Sequence, residues 1–264
     1  MGKIAANGTG ENLRTLGRTS IDMKALVLCG GRGTRLQPYT TVIPKPLMPV
    51  GDYPILEILL RQLRKAGVDE VILAVGYMSH LFRAFFEDGN RLGIRIRYLF
   101  EERPLGTAGA VASVVDDLGE SFLVTNGDLL TTLDFRAMFR SHRASGAAAT
   151  IGLYTREVKI DFGVVEMNDR GELREYREKP VYKFDVSMGV NCLRKDVVEK
   201  YIVKNEYLDM PDLMMRLVKH GHKVDSFRSD CFWLDIGRLD DYQRASEIFD
   251  DRRNEFLPLL PGEG

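Results

Sequence analysis

The chain has 264 residues, room for one large domain or two small ones, and its 44% hydrophobic and 28% charged residues make an ordinary soluble composition. A net charge of −1 gives the whole-protein field no reason to favour nucleic acid, although local basic loops can still hold a small anion. No segment approaches the roughly 18 apolar residues of a membrane helix. The three widely spaced cysteines, Cys29, Cys192 and Cys231, lie in apolar runs and are expected to be buried, reduced thiols, which suits a cytoplasmic location.

Residues 1–22 are polar and glycine-bearing, lack the apolar core of a signal peptide, and are expected to form a disordered extension. From Met23 the pattern alternates. "KALVLC" predicts a buried strand ending in a glycine loop. "PILEILLRQLRKAG" has apolar residues at helical spacing, with a proline at its start and Gly67 at its stop. "EVILAVG" predicts another buried strand, followed by a helix over about 79–88, a strand in "IRIRYLF", a helix over 107–117, and a strand in "SFLVTNGD". A helix after Asp134 leads to "AAATIGLY". "GVVEMNDRGELREYREKP" then predicts a hairpin turning at 168–171. "VSMGVNCL", helices near 195–202 and 211–220, the short "CFWLDIG" and a helix over 238–249 follow. Met214 and Met215 are expected to pack in the core.

Strands alternating with helices imply an α/β fold, Rossmann-like, with a mixed, mainly parallel sheet covered by helices on both faces. With no linker-like stretch inside it, one domain is expected over 23–250, with a tail over 251–264. His220 and His222 flank Gly221 at a helix stop with no third ligand nearby, which points to a structural role.

In open α/β sheets ligands bind beyond the carboxyl ends of the strands, and the polar residues recur there. After the first strand, "LVLCGGRGTRLQP" offers a bare backbone and fixed positive charge, a pattern suited to a polyphosphate. It matches neither the P-loop nor the dinucleotide-binding pattern. Lys45 follows between two prolines that stiffen its loop. "EERPLGTAG", then Asn126-Gly127-Asp128, Glu178-Lys179 in "EKP", and Asp235 in "WLDIG" complete the series. Arg35 and Lys45 lie in a loop that reads as too polar to be core, so their replacement is expected to spare stability.

In this order, "GGRGTRLQP", "PKPLMPV", "EERPLGTAG", "NGD", "FGVV", "EKP" and "WLDIG" resemble the sugar-1-phosphate nucleotidylyltransferases, or NDP-sugar pyrophosphorylases, across residues 23–245. The resemblance implies that a sugar 1-phosphate oxygen attacks the α-phosphorus of a nucleoside triphosphate and that pyrophosphate leaves. It implies a nucleotide site made of Leu28, Gly30, Gly31, Gly33, Thr34, Arg35, Glu101, Gly106 and Thr107. Arg35, Lys45 and Asp128 would be catalytic, and Asp128 and Asp235 would hold Mg²⁺. Gly163, Glu178, Lys179 and Gly189 would bind the sugar phosphate. Ser187 and Asn191 stand where many relatives carry asparagine and tyrosine.

The "EERPLGTAG" run is most similar to the mannose/heptose-1-phosphate guanylyltransferase branch. Thymidylyl and uridylyl relatives carry a glutamine where this chain has Glu101, and a carboxylate accepts from the two adjacent N–H donors of guanine. GTP is therefore the expected donor. Competing readings are thymidylyl or uridylyl transfer to glucose 1-phosphate, transfer to a non-sugar phosphate or phosphonate, and a non-catalytic nucleotide-sugar sensor. A sensor is expected to have lost Arg35, Lys45 or the aspartates, and all four are present. Little chain remains after the last predicted helix, so an appended β-helix is not expected. No nucleic-acid or membrane partner is expected, and a homo-oligomer is compatible with the resemblance.

Overall fold

The computed structural model describes residues 22–260, so the expected extension over 1–22 lies almost wholly outside the described residues. The chain begins with β1 (Lys24–Leu28), two short strands β2 (Pro49–Val50) and β3 (Tyr53–Pro54), helix α1 (Ile55–Ala66), β4 (Glu70–Val75), α2 (Ser79–Phe86) and β5 (Arg95–Phe100). There follow α3 (Gly106–Gly109), α4 (Val115–Leu118), β6 (Ser121–Asn126), β7 (Leu129–Thr131), α5 (Phe135–Ser145), β8 (Ala149–Lys159), the hairpin of β9 (Val164–Met167) and β10 (Leu173–Arg177), and β11 (Val181–Arg194). The last elements are α6 (Lys195–Tyr201), α7 (Met210–Lys219), β12 (Val224–Arg228), β13 (Trp233–Asp235), α8 (Leu239–Asp251) and α9 (Arg253–Phe256).

Seven strands form one sheet in the order β12-β8-β11-β6-β1-β4-β5. Only β11 runs antiparallel to its neighbours, so the sheet is mixed and mainly parallel, as expected. Side chains alternate across it. Ala25 and Val27 of β1 and Val71, Leu73 and Val75 of β4 join the apolar cluster under α1, α2 and α5. Leu26, Ile72 and Ala74 join the opposite cluster, under α4, α6 and α7. Both faces are therefore covered, which is why the strands read as continuous apolar runs.

The structure departs from the sequence expectations in several places. The helix expected over 107–117 is broken into α3, a 3-10 turn at Ala110–Ser113, and α4. Ala108 and Gly109 both donate their backbone N–H to Leu208 O, at 2.9 and 3.0 Å, and Gly109 lies so close to Glu206 O that a Cβ would clash. Tertiary hydrogen bonds here outweigh a weak local preference in a glycine- and valine-rich segment. β12 was not predicted, because its sequence "VDSFR" is polar and half-exposed, as suits an edge strand. Met214 is buried, but Met215 is 68% exposed on the outer side of α7. Cys29 and Cys192 are buried, whereas Cys231 is only partly so.

The stretch 251–264, expected as a tail, is folded as far as it is described. Phe256 is fully buried with Phe249, and Gln62 of α1 donates to Glu255 O and Phe256 O at 2.8 and 2.7 Å. Its composition looks tail-like because few apolar side chains, Phe256 and Leu260 with partly buried Leu257, carry the docking. Among the described residues no helix is long and apolar enough to cross a membrane.

His142 of α5 is buried, with Nδ1 2.9 Å from Thr150 Oγ1 and Nε2 unpartnered. Burial, helped by the charge of Arg194 and opposed by Asp225, pushes its pKa down to about 4. In the unfolded chain the imidazole titrates near 6.5, so between those values the unfolded state binds the extra proton. Stability contributed by neutral His142 is complete above about pH 6.5 and is lost as the pH falls through about 4. A melting-temperature series over this range should fall more steeply for the wild type than for His142→Gln, which keeps a partner for Thr150. Parallel curves would show that His142 does not contribute.

Candidate active site

Three chain segments converge beyond the carboxyl end of β1. Gly33, in a left-handed conformation at φ 63°, turns the glycine loop into a 3-10 turn at Thr34–Leu36, and its carbonyl accepts from Thr40 Oγ1 at 2.9 Å. A side chain at Gly33 would press on Thr40 and on Lys45 Cβ, so the glycine is what lets the Lys45 segment lie against this loop. Lys45 opens a second 3-10 turn, Lys45–Leu47, and is only 8% exposed. The expectation that its loop is too polar to be core is corrected here. The stem of Lys45 and its neighbours Pro46 and Leu47 are buried while the ammonium faces carboxylates.

The second segment is the end of β6. Gly127 donates its N–H to Leu28 O at 2.9 Å and has no space for a Cβ against Cys29 Sγ, which fixes Asp128 beside β1. The third is β13. It pairs antiparallel with β7 so that Asp235 stands opposite Leu129, the residue after Asp128. This short ladder brings together two aspartates far apart in sequence. Lys45 Nζ forms an ion pair with Asp128 Oδ2 and lies 3.4 Å from Asp235 Oδ1. Asp128 Oδ1 is sealed from solvent with no partner. Burial raises the Asp128 carboxyl above its usual range, Lys45 draws it back, and Asp235 raises it further.

Two cavities meet here. One, of about 600 Å³, is bounded by Gly30 and Gly31 on one side and Glu101, Gly106 and Thr107 on the other, with Leu28 and Asp128 at its floor. Six of the nine residues expected to bind nucleotide therefore line one space. Burial raises the carboxyl of half-buried Glu101 and a hydrogen bond from the Leu105 backbone opposes this, with Glu101 Oε2 lying directly over Gly30. Thr107 is already committed, its hydroxyl donating to Asp209 Oδ1 at 3.3 Å and accepting from Met210 N at 2.7 Å.

Gly33, Thr34 and Arg35 are outside this lining. Arg35 is exposed, stands next to Gly237 and makes no ion pair among the described residues. Arg32 and Tyr77 line the cavity and were not singled out from the sequence, and Asn126, part of the "NGD" motif, lines it without having been assigned to the nucleotide site. Arg32 was legible as the other arginine of the glycine loop, but Tyr77 has no motif.

The second cavity, of about 500 Å³, shares Leu28, Thr107 and Asn126 with the first and includes Gly189 and Asp235. The other expected sugar residues sit apart. Gly163 packs against the Tyr176 hydroxyl, which donates to Glu178 Oε2 at 3.4 Å, and all three belong to the β9–β10 hairpin and its exit. Lys179 follows at φ 45°, a conformation that non-glycine residues seldom adopt. Among the described residues no hydrogen bond or ion pair ties Glu178 or Lys179 to Lys45, Asp128 or Asp235. His222 Nε2 lies 2.8 Å from Tyr201 OH and His220 Nδ1 2.8 Å from Arg216 O, consistent with structural roles.

Among the described residues no group of three or more His, Cys, Asp or Glu forms a metal cage. Two facing carboxylates with one unpartnered buried oxygen nevertheless fit Mg²⁺, which is commonly held by one or two protein carboxylates together with substrate phosphates.

Removing Lys45 would leave two like charges facing each other with one oxygen buried. Lys45→Met should cost about 3 kcal/mol at neutral pH, the lower end for a broken buried pair because Asp235 is partly exposed. Much of that loss should return in Lys45→Met/Asp128→Asn. Urea denaturation of both variants tests this, and equal stability of Lys45→Met and the wild type would contradict the ion-pair account.

The sequence profile of the nucleotidyl transferase family matches residues 24–252. The chain is 33% identical over 242 residues to the UTP–glucose-1-phosphate uridylyltransferase of Synechocystis, covering 84% of this chain and 62% of that protein. It therefore spans about three-fifths of that relative's length. It is 32% identical to the D-glycero-alpha-D-manno-heptose 1-phosphate guanylyltransferase of Aneurinibacillus thermoaerophilus, covering 85% of this chain and 97% of that one. The structure of HddC from Yersinia pseudotuberculosis superposes with a TM-score of 0.67 at 26% identity over 86% of this chain and 99% of that one, and its complex with GMP-PN gives 0.65. With most of its length matched by that profile, the chain belongs to the nucleotidyl transferase family.

Proposed function

We propose that this protein is a sugar-1-phosphate nucleotidylyltransferase that uses GTP and a mannose- or heptose-type sugar 1-phosphate. The observation that carries the reading is Lys45 set between Asp128 and Asp235 where a glycine-walled cavity and a second cavity meet. Such a place can hold two anionic substrates with one reacting centre between them.

In the proposed reaction an oxygen of the sugar 1-phosphate forms a bond to the α-phosphorus and the bond to the β-phosphate breaks, releasing pyrophosphate. Backbone N–H groups at Gly30 and Gly31 and the unpaired guanidinium of Arg35 hold the triphosphate, since a guanidinium fork suits bridging phosphate oxygens. Lys45 is a movable point charge that can leave its carboxylates for the α-phosphate as negative charge builds there. Mg²⁺, held by Asp128 and Asp235 together with phosphate oxygens, would supply charge neutralisation on the triphosphate. Glu178 and Lys179 are assigned to the sugar hydroxyls and the sugar phosphate, and Gly163 and Gly189 to close backbone contacts with the sugar.

The base assignment rests on Glu101. Its carboxylate, already short of water, gains from the N1–H and N2–H₂ donors of guanine, whereas uracil and thymine set a carbonyl against it. The guanylyltransferase relative that the chain matches along nearly its whole length supports GTP. The uridylyltransferase relative favours UTP with glucose 1-phosphate as the second reading.

Pyrophosphate release measured with GTP, UTP and dTTP against a panel of sugar 1-phosphates is the test. GTP should have the highest kcat/KM, and Glu101→Gln should narrow its lead. Preference for UTP or dTTP in the wild type would overturn the base assignment. Asp128→Asn should stay folded and lose roughly 10²-fold or more in kcat/KM. Full activity of that variant would remove Asp128 from the reaction.

A further inference from the structure

The second cavity has an unusual wall. Met210 and Met214 of α7, Ile151 of β8 and Trp233 of β13 give it apolar sides. Its polar side chains are few, and most are spoken for. Thr107 is held by Asp209 and Met210, Ser187 Oγ accepts from Gly189 N at 3.4 Å, and Asp235 faces Lys45.

The exceptions are Asn126, which stands at the junction of the two cavities, and Asn191, which lines this one alone. Asn191 is 5% exposed, it lines the cavity, and its carboxamide has no hydrogen-bond partner among the described residues. Its amide therefore has two donors and an acceptor available to a molecule in the cavity. The backbone explains how it comes to face this space. The β11–β8 ladder slips between Ser187 and Asn191, so that Ser187 pairs with Leu153 and Asn191 with Ile151. Inside this bulge Gly189 takes φ 73° and its Cα packs on Asn126, the residue shared by both cavities. Bulges commonly re-aim side chains next to a binding site.

The geometry points to Asn191 as the specificity-determining residue for an acceptor whose far end is largely apolar and carries a single hydrogen-bonding group. The fitting class is a deoxygenated sugar 1-phosphate, a 6-deoxyhexose 1-phosphate in preference to its fully hydroxylated counterpart. Loss of the exocyclic hydroxyl leaves a methyl, the largest apolar group that deoxygenation of a hexose yields, and methionine thioethers adapt closely to such a group. One of the three ring hydroxyls that such a sugar keeps both donates and accepts, and so can satisfy the Asn191 amide. This inference rests on the nucleotidyl-transfer reading and narrows its mannose-type acceptor to the 6-deoxy form, in place of the heptose alternative.

The test uses matched pairs, mannose and 6-deoxymannose 1-phosphates and glucose and 6-deoxyglucose 1-phosphates, with the nucleotide that supports the fastest pyrophosphate release. The wild type should favour the 6-deoxy member by about 10²-fold in kcat/KM, the scale at which an apolar pocket rejects an added hydroxyl. Asn191→Leu should raise the acceptor KM by about tenfold and leave the nucleotide KM unchanged. It should not lower the melting temperature, because the amide makes no bond in the free protein. Equal or better turnover of the hydroxylated member overturns the inference while leaving nucleotidyl transfer standing. So does a variant that melts lower with both KM values raised alike. Should no pair release pyrophosphate with any nucleotide, the transfer reading itself fails. The Asn191 assignment then stands or falls on whether 6-deoxyhexose 1-phosphate raises the melting temperature of the wild type and not of Asn191→Leu.

Discussion

Two carboxylates a few ångströms apart repel each other, and Lys45 is what makes their neighbourhood tolerable. At about 4 Å and an effective dielectric near 20, a pair of unit charges interacts by about 4 kcal/mol. The sign of that interaction decides whether the loops around Asp128 and Asp235 can close. The ammonium reaches both aspartates because three independent constraints meet. The missing Cβ at Gly33 admits the lysine segment, the Gly127–Leu28 hydrogen bond fixes Asp128, and the β7–β13 pairing delivers Asp235. Each is a backbone feature, so the charge cluster is held by main-chain geometry and not by the charged side chains themselves. The same arrangement suits a site that must exchange one cation for another partner, since Lys45 can move without any strand moving.

The loops that carry these charges do not belong to the sheet, and a third apolar cluster supports them. Leu36 and Met48 from the loop after β1, Ile55 and Ile58 from α1, Leu130 beside Asp128, and Ile236 beside Asp235 pack together with Phe249 and Phe256 of the last two helices. Burying each of those phenylalanines contributes about 1.5–3 kcal/mol, in a cluster whose members alternate in sequence with the site residues. The C-terminal helices are therefore part of the foundation of the site. Tyr242 of α8 adds a direct tie, donating to Pro49 O at 2.6 Å.

The sheet was legible because burial on both faces leaves continuous apolar runs, and β1, β4 and β6 fall within a residue or two of their predicted limits. The glycine loop, Lys45, Asp128 and Asp235 were legible as motifs. Their meeting was not, because nothing in "LLT" or "WLD" announces that β7 and β13 pair. β8 and β11 run longer than predicted because their outer halves pair with each other beyond the core, where polar residues such as those of "TREVK" carry no apolar alternation. The broken helix after Gly106 and the docking of Phe256 share one cause, a local pattern overruled by a contact far away in sequence. Lys45 was misjudged for a related reason. Its neighbours read as loop, but an ammonium between two carboxylates can be buried with its stem against Pro46 and Leu47.

The two cavities are built by different means, and this difference separates what can vary from what cannot. The larger one is walled by glycines and backbone, with Glu101 and Arg32 as its charged groups, and a side chain at Gly30 would collide with the Glu101 carboxylate. Much of that wall is main chain, so its shape is set by the strand ends themselves. The smaller one is walled by side chains of α7, β8 and β13 that can be exchanged one at a time while the sheet stays as it is. Their common floor, Leu28 and Asn126, lies next to Asp128 and is held by the pairing of β1 with β6. A chain built in this way can keep the larger, main-chain-walled cavity while the wall of the smaller one, formed by Met210, Met214 and Asn191, drifts in polarity.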